Sequence, residues 1–203
     1  MNIQSADFEI SAADLDSCPT PSLPEFAFVG RSNVGKSSLI NMLSGQKKDL
    51  AIVSSKPGRT RLINFFIMNK KWKLVDLPGY GFAKVSKKAQ ESFQDFVDDY
   101  LHNRESLSCV FILIDSKLPP QKIDLGFTKW LMDCGIPFVL VFTKADRSKP
   151  GAVKRNVDAF LEEMKEWCDG MPRYFITSAK RKDGRKDILE FIGAAVKNYI
   201  RPQ

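Results

Sequence analysis

The sequence predicts an α/β protein of three layers, in which helices cover both faces of a doubly wound, mostly parallel sheet with one antiparallel strand. Two observations lead to this fold class. Short, nearly continuous apolar runs alternate with segments of helical periodicity, which is typical of buried parallel strands and their crossover helices. A phosphate-binding pattern also lies between the first such run and the first such helix. Ligands of these sheets bind beyond the carboxyl ends of the strands.

The composition is that of one water-exposed globular domain. The chain has 203 residues, of which 43% are hydrophobic and 27% charged, enough for a single sizeable core. No apolar run approaches the ~20 residues of a membrane span, and the acidic N-terminus is unlike a secretory signal. Four widely spaced cysteines without a C-x-x-C pair indicate reduced thiols. We therefore expect a cytoplasmic protein that does not bind membranes. We also expect a monomer, although composition does not determine the oligomeric state.

The first half of the chain contains an extension, three strands and a helix. Residues 1–23 lack clear periodicity and end among three prolines, so we expect an extension before a single domain over 24–203. Residues 26–29 predict a buried strand, and 38–43 predict a helix that stops at Gly45. Residues 49–59 form a polar loop candidate. The runs 62–68 and 72–75 predict two strands, joined by a hairpin turn at Asn69-Lys70.

Helices and strands alternate through the second half. Residues 89–102 have one apolar helical face. Continuous apolar runs predict strands at 109–114, 138–142 and 174–176, and amphipathic segments predict helices at 123–134, 152–168 and 188–199. We find no internal repeat that would indicate a solenoid or propeller.

The pattern G-x-x-x-x-G-K-[ST] covers residues 30–37. Its glycines let backbone N–H groups surround a polyphosphate, and the helix that follows adds roughly half a positive charge at its N-terminus. We expect Lys36 to reach the β- and γ-phosphates and the Ser37 hydroxyl to bind Mg²⁺. The expected phosphate contacts are Gly30, Arg31, Ser32, Asn33, Val34, Gly35, Lys36, Ser37 and Ser38.

Two further motifs predict contacts with Mg²⁺ and a γ-phosphate. Asp76-Leu77-Pro78-Gly79 follows a strand and matches D-x-x-G, in which the aspartate holds the Mg²⁺ shell and the glycine N–H meets the phosphate. Thr60, preceded by Gly58 and Arg59, is the candidate for a loop threonine that closes on Mg²⁺. The predicted hydrolysis residues are Lys36, Thr60 and Gly79, and the predicted metal ligands are Ser37, Thr60 and Asp76.

Two motifs after later strands predict guanine recognition. Thr143-Lys144-Ala145-Asp146 matches [NT]-K-x-D. The Asp146 carboxylate can accept from both N1–H and the exocyclic amine of guanine, whereas adenine would leave it unpaired. Thr143 replaces the usual asparagine, so we expect no amide bridge to the phosphate loop and weaker base affinity. Thr177-Ser178-Ala179, before Lys180, matches the short loop whose N–H recognises guanine O6.

Together the segments G-R-S-N-V-G-K-S, P-G-R-T, D-L-P-G-Y-G and T-K-A-D resemble the motifs of the EngB (YihA/YsxC) family, one of the TrmE/Era/EngA-like GTPases. The resemblance extends from about residue 26 to the C-terminus. It implies a P-loop NTPase fold of the Ras-like GTPase type, with GTP or GDP as ligand, and a role in large ribosomal subunit assembly and cell division.

A basic RNA-facing surface is consistent with that role, because the net charge is +7 and the pI about 9.2. An ordinary solvated face is the alternative interpretation. The candidate side chains are Lys84, Lys87, Lys88, Arg181, Lys182, Arg185 and Lys186.

Two positions bear on the rate of hydrolysis. Tyr80 stands directly after D-x-x-G, where many GTPases have a glutamine that orients water. We therefore expect slow intrinsic turnover, with the missing group supplied by a partner or a cation. Asn33 coincides with an asparagine that helps hold K⁺ in related GTPases, and a structural asparagine is the alternative. Two other functions stay open: a P-loop phosphotransferase, and an RNA-binding module with a non-hydrolysing nucleotide site.

Overall fold

The computed structural model describes residues 1–45, 50, 62–80 and 96–200. Within them, one sheet has the strand order β1-β3-β4-β2-β5-β6-β7. The strands are β1 (Ala6–Ala12), β2 (Glu25–Gly30), β3 (Ile63–Met68), β4 (Trp72–Asp76), β5 (Leu107–Asp115), β6 (Phe138–Thr143) and β7 (Tyr174–Ile176). The helices are α1 (Lys36–Ser44), α2 (described over 96–103), α3 (Lys122–Asp133), α4 (Pro150–Met164) and α5 (Arg185–Lys197), and a 3₁₀ turn covers Ala145–Arg147.

The strand directions confirm the predicted fold class. β4, β2, β5, β6 and β7 pair in parallel, whereas β3 pairs antiparallel with both of its neighbours. The turn between β3 and β4 has Asn69 at φ 52° and Lys70 at φ 54°. Two left-handed residues in succession form a type I′ turn, whose twist matches that of a hairpin. The predicted hairpin is therefore present.

The N-terminal residues are the main departure from the predicted element order. We expected no strand before residue 24, but residues 6–12 form the edge strand β1, with Ala6 opposite Met68. The signal is weak because Ala6 and Ala12 supply the buried side chains while Phe8 remains 57% exposed. A register shift follows Phe8. Because the buried residues are small and a large apolar residue is exposed, the sequence lacks the alternation of apolar and polar residues that marks a strand.

The helices divide between the two faces of the sheet, as the three-layer prediction requires. α1 and α5 cover one face with Leu39, Ile40, Leu43, Ile188, Leu189 and Ile192. α2, α3 and α4 cover the other with Val97, Tyr100, Leu131, Val157 and Phe160 among others. α1 ends at Gly45 (φ 64°), the predicted stop. This packing leaves the carboxyl edge of the sheet to the loops that follow β2, β4, β6 and β7.

A buried ion pair between Arg104 and Glu25 lies at the opposite end of the sheet. Arg104 donates to Glu25 at the start of β2, with Nη2 and Oε1 2.6 Å apart, and also to the Pro19 carbonyl. The Tyr100 hydroxyl donates to the same carboxylate at 2.9 Å. Burial raises the pKa of Tyr100 well above its ordinary value. The segment before β2 is thus fastened to the domain.

None of the helices in the described ranges combines the length and apolar character needed to cross a bilayer.

Candidate functional site

The phosphate loop connects β2 to α1 at the carboxyl edge of the sheet. β2 ends at Gly30, and α1 begins at Lys36 with Gly35 as its N-cap at φ 101°. Because Gly35 has no side chain, the N–H groups of the first helical turn are left for an anion. Val34 is buried in the core, so this predicted contact can reach a ligand only through its backbone.

Lys36 and Asp76 meet at the end of β4. Lys36 Nζ forms an ion pair with Asp76 Oδ1, and Asp76 is 6% exposed. The Leu77 N–H donates to the Phe28 carbonyl at 3.0 Å, which sets the start of the D-x-x-G segment beside β2. The phosphate-binding lysine and the metal-binding aspartate predicted from sequence are therefore neighbours.

The described part of the predicted Mg²⁺ site fits the ion. Mg²⁺ prefers oxygen ligands and is held by few protein groups together with phosphate and water. Asp76 offers a carboxylate, and Ser37 offers a hydroxyl in the first turn of α1, directly after the lysine that contacts Asp76. The third predicted ligand, Thr60, lies outside the described residues together with Gly58 and Arg59.

Gly79 lies directly against the phosphate loop. A Cβ atom at Gly79 would be 2.5 Å from the Gly30 carbonyl oxygen and 3.4 Å from the Ser32 nitrogen. Only glycine allows this approach. Leu77 and Pro78 are buried, and the Leu77 side chain belongs to the core. The predicted contacts of this segment would therefore involve its backbone.

The two base-recognition motifs follow β6 and β7, which are adjacent strands. The Ala145 N–H donates to the Thr177 carbonyl at 3.0 Å. The fully buried Ser178 donates its hydroxyl to Asp146 Oδ1 at 2.7 Å. That hydrogen bond is the main cause that lowers the pKa of Asp146, so the carboxylate is ionised and able to accept at neutral pH. Ser178 thus orients the residue predicted to read guanine.

Thr143 and Lys144 join the base motif to the phosphate loop. Thr143 Oγ1 lies 2.6 Å from the Val34 carbonyl oxygen and 3.1 Å from that of Ile114. Lys144 Nζ donates to the Asn33 carbonyl at 2.6 Å. We expected no amide bridge from Thr143, and its hydroxyl supplies the link instead. The weaker base affinity expected from the same residue stays a prediction.

Two acidic residues at this site, Asp115 and Asp124, belong to none of the motifs found in the sequence. Asp115, the last residue of β5, accepts from Lys144 Nζ at 2.6 Å. Asp124 on α3 is fully buried and accepts from Arg31 Nε at 3.0 Å and from the Tyr80 hydroxyl at 2.9 Å. Burial raises the pKa of Asp124, although these two donors oppose the shift.

Sequence signals for these two residues exist but are general. Asp115 ends a parallel strand at the edge where ligands bind. Asp124 shares the i, i+4, i+7 spacing of a buried helical face with Thr128 and Leu131. An acidic residue on such a face needs a partner. The identity of that partner does not follow from the spacing.

The predicted basic surface is only partly available for RNA. Arg185 Nε donates to the Met42 carbonyl at 2.7 Å and its Nη2 to that of Leu43 at 3.1 Å, so Arg185 satisfies the C-terminus of α1. Arg181 pairs with Asp183 at 2.7 Å. Lys182 and Lys186 are exposed. Lys84, Lys87 and Lys88 lie outside the described residues.

Known proteins are similar to this chain in sequence and in fold. A family model described as "50S ribosome-binding GTPase" matches residues 25–144. The chain is 53% identical over 192 residues to a probable GTP-binding protein EngB of Christiangramia forsetii, a match that covers 95% of this chain and 96% of that protein. It is 51% identical to the probable GTP-binding protein EngB of Bacteroides fragilis strain YCH46, and the match covers 95% of each.

Two solved structures are also similar. The crystal structure of a probable GTP-binding protein EngB has a TM-score of 0.64 at 26% identity and covers 86% of this chain and 100% of that one. Aquifex aeolicus Era bound to GDP and AlF₄⁻ has a TM-score of 0.67 at 22% identity, covering 89% of this chain and 58% of that one. The second likeness concerns the fold alone.

Removal of the Thr143 hydroxyl should lower both the stability of the protein and its affinity for nucleotide. Thr143→Val leaves the Val34 carbonyl without its donor, and we expect the free energy of unfolding to fall by about 1–2 kcal/mol. We also expect at least about threefold weaker binding of a fluorescent GDP, because about 0.7 kcal/mol of loop ordering suffices for that. Urea unfolding and fluorescence titration measure the two effects. Thr143→Ser keeps the hydroxyl and should retain most of both; an equal loss in Val and Ser variants would contradict the link.

Proposed function

The chain belongs to the EngB family of GTP-binding proteins, and from this premise we propose that it is a slow GTPase switch in assembly of the large ribosomal subunit. The proposal includes a cytoplasmic monomer. It also includes a requirement for normal cell division, which the family resemblance implies. Membership of a GTPase family argues against a phosphotransferase and against an RNA-binding module that cannot hydrolyse nucleotide. The observation that carries the proposal is the convergence of the base motif and the D-x-x-G segment on one phosphate loop, through Lys144–Asn33 and Lys36–Asp76.

Different residues bind the phosphates, the guanine base and Mg²⁺ in the proposed complex. In the proposed complex the backbone N–H groups of the phosphate loop and the Lys36 ammonium bind the β- and γ-phosphates, while Asp146 binds the guanine edge. Ser37, Asp76 and Thr60 would hold Mg²⁺, which supplies positive charge to the phosphates when bound. The Gly79 N–H would meet the γ-phosphate. Such fixed donors and cations stabilise the charge that develops as water attacks in line.

The absence of a glutamine after D-x-x-G supports the slow rate. The Tyr80 hydroxyl donates its single proton to Asp124 on α3, so that proton is not available to an attacking water. An amide, in contrast, offers an acceptor oxygen and separate N–H donors.

K⁺ beside the phosphates is part of the proposal, because Asn33 occupies the phosphate loop next to Lys144. A monovalent cation there would add positive charge near the leaving group. We expect GTP hydrolysis to be faster in KCl than in NaCl at equal ionic strength, measured as phosphate release. Equal rates would remove K⁺ from the proposal and leave the rest unaffected.

Guanine recognition is tested by Asp146→Asn. The amide donates where the carboxylate accepted, so it suits the second oxygen of xanthine rather than the amine of guanine. We expect the preference to shift from GTP to XTP by at least about tenfold, which corresponds to about 1.4 kcal/mol. Competition of the two nucleotides against a fluorescent analogue measures this shift. Asp158→Asn, which removes an exposed carboxylate on α4, is the matched control and should keep the GTP preference; a GTP-selective Asp146→Asn protein would refute the assigned role.

The ribosomal part of the proposal is supported by the description of the matching family model and by the net charge of +7. We expect the protein to sediment with large subunits in the presence of a non-hydrolysable GTP analogue and to be released with GDP. The assay needs at least two stated KCl concentrations, because contacts with RNA phosphates weaken steeply with salt. Cosedimentation that is independent of the nucleotide, or equal binding to small subunits, would contradict a switch specific for this particle.

A further inference from the structure

Asp124 contacts both loops that are expected to face the γ-phosphate. Arg31 Nε lies 3.0 Å from each of its carboxylate oxygens, and the Tyr80 hydroxyl lies 2.9 Å from Oδ1. Arg31 directly follows Gly30, and Tyr80 directly follows Gly79. These two glycines are in backbone contact, as the 2.5 Å distance from a Cβ at Gly79 to the Gly30 oxygen indicates. One buried carboxylate therefore spans the junction of the two loops.

Tyr80 is held by its ring as well as by its hydroxyl. The ring stacks on Phe127 of α3, with centroids 4.5 Å apart and planes 25° apart, and Phe127 in turn contacts Trp130 at 5.6 Å. Stacking of this kind contributes beyond the area that it buries. Tyr80 is therefore directed onto α3.

α3 is a firm support for this arrangement. Thr128 and Leu131 are fully buried beside Asp124 on the same helical face. The Thr128 hydroxyl donates to the Asp124 carbonyl at 2.8 Å. A group held by packed helical residues is placed more accurately than one on a loop. α3 therefore fixes the position of the Asp124 carboxylate, to which residues of both loops bind.

We propose that Asp124 is a positioning residue for GTP hydrolysis, which sets the D-x-x-G segment against the phosphate loop by binding Arg31 and Tyr80 together. The inference rests on the proposed assignment of these loops to the γ-phosphate. The Gly79 N–H next to Tyr80 is the group expected to meet that phosphate. A displacement of about 1 Å in such a group can cost about 10²-fold in rate. GDP has no γ-phosphate, so its binding depends less on this geometry.

Two substitutions test the role from opposite ends of one hydrogen bond. Asp124→Asn keeps the shape but turns an amide N–H₂ toward one of the two donors, and Tyr80→Phe removes the hydroxyl while keeping the stack on Phe127. We expect each variant to lower the single-turnover rate at saturating GTP about tenfold. The affinity for fluorescent GDP should change less than about threefold, since the contact with the γ-phosphate is absent from that complex. In the double variant the loss should be no larger than in the slower single variant, because either change breaks the same bridge from Arg31 through Asp124 to Tyr80.

Asp133→Asn is the matched control, since Asp133 is an exposed carboxylate on the same helix, paired only with Lys129 among the described residues. It should hydrolyse GTP at the wild-type rate. An unchanged rate in Tyr80→Phe, an equal loss of GDP affinity, or a double variant slowed about a hundredfold would overturn the positioning role. If Asp124→Asn does not fold, Tyr80→Phe decides by the first two criteria. A wild-type protein that does not hydrolyse GTP would instead refute the proposed function.

Discussion

The backbone contact between Gly30 and Gly79 is the constraint on which the rest of the site depends. It exists because β2 and β4 are parallel neighbours, and the Leu77 N–H extends their pairing by one bond to Phe28. A side chain at residue 79 would push the two loops apart. With glycine there, Lys36 at the start of α1 reaches Asp76 at the end of β4. The close approach therefore brings the phosphate loop and the D-x-x-G segment together.

Carbonyl oxygens of the phosphate loop bind the residues of the base motif. Val34 accepts from Thr143, and Asn33 accepts from Lys144, which itself has a left-handed φ of 60°. Lys144 also pairs with Asp115 from the strand between β2 and β6. Hydrogen bonds from the end of β6, supported by Asp115 of β5, thus fix the loop that follows β2. The charged ones among them are stronger than neutral hydrogen bonds. A nucleotide bound there would meet a loop in which the carbonyl groups of Asn33 and Val34 are already held by hydrogen bonds.

Local patterns predicted the local structure of this protein, and contacts between distant residues were harder to foresee. Apolar runs located β2 to β7, and Asn69-Lys70 located the hairpin, because strand burial and left-handed turns depend on neighbouring residues. The strand β1 was missed, since its buried face consists of alanines. The pairing of Arg31 with Asp124 spans 93 residues, and helical spacing can reveal a buried acid without revealing its partner. Thr143 illustrates a second limit of sequence motifs. Its hydroxyl makes the link to the phosphate loop that the amide of the usual asparagine would make.

The edge strand β1 has a consequence for any shortened form of the protein. β1 pairs along the whole of β3, from Ala12 opposite Ile63 to Ala6 opposite Met68. A chain that began at residue 24 would present β3 as a bare sheet edge that carries Phe65, Phe66 and Ile67. Unpaired backbone groups beside such side chains recruit further strands and lead to aggregation. We therefore expect the first twelve residues to protect the protein against aggregation, although none of them belongs to a nucleotide-binding motif.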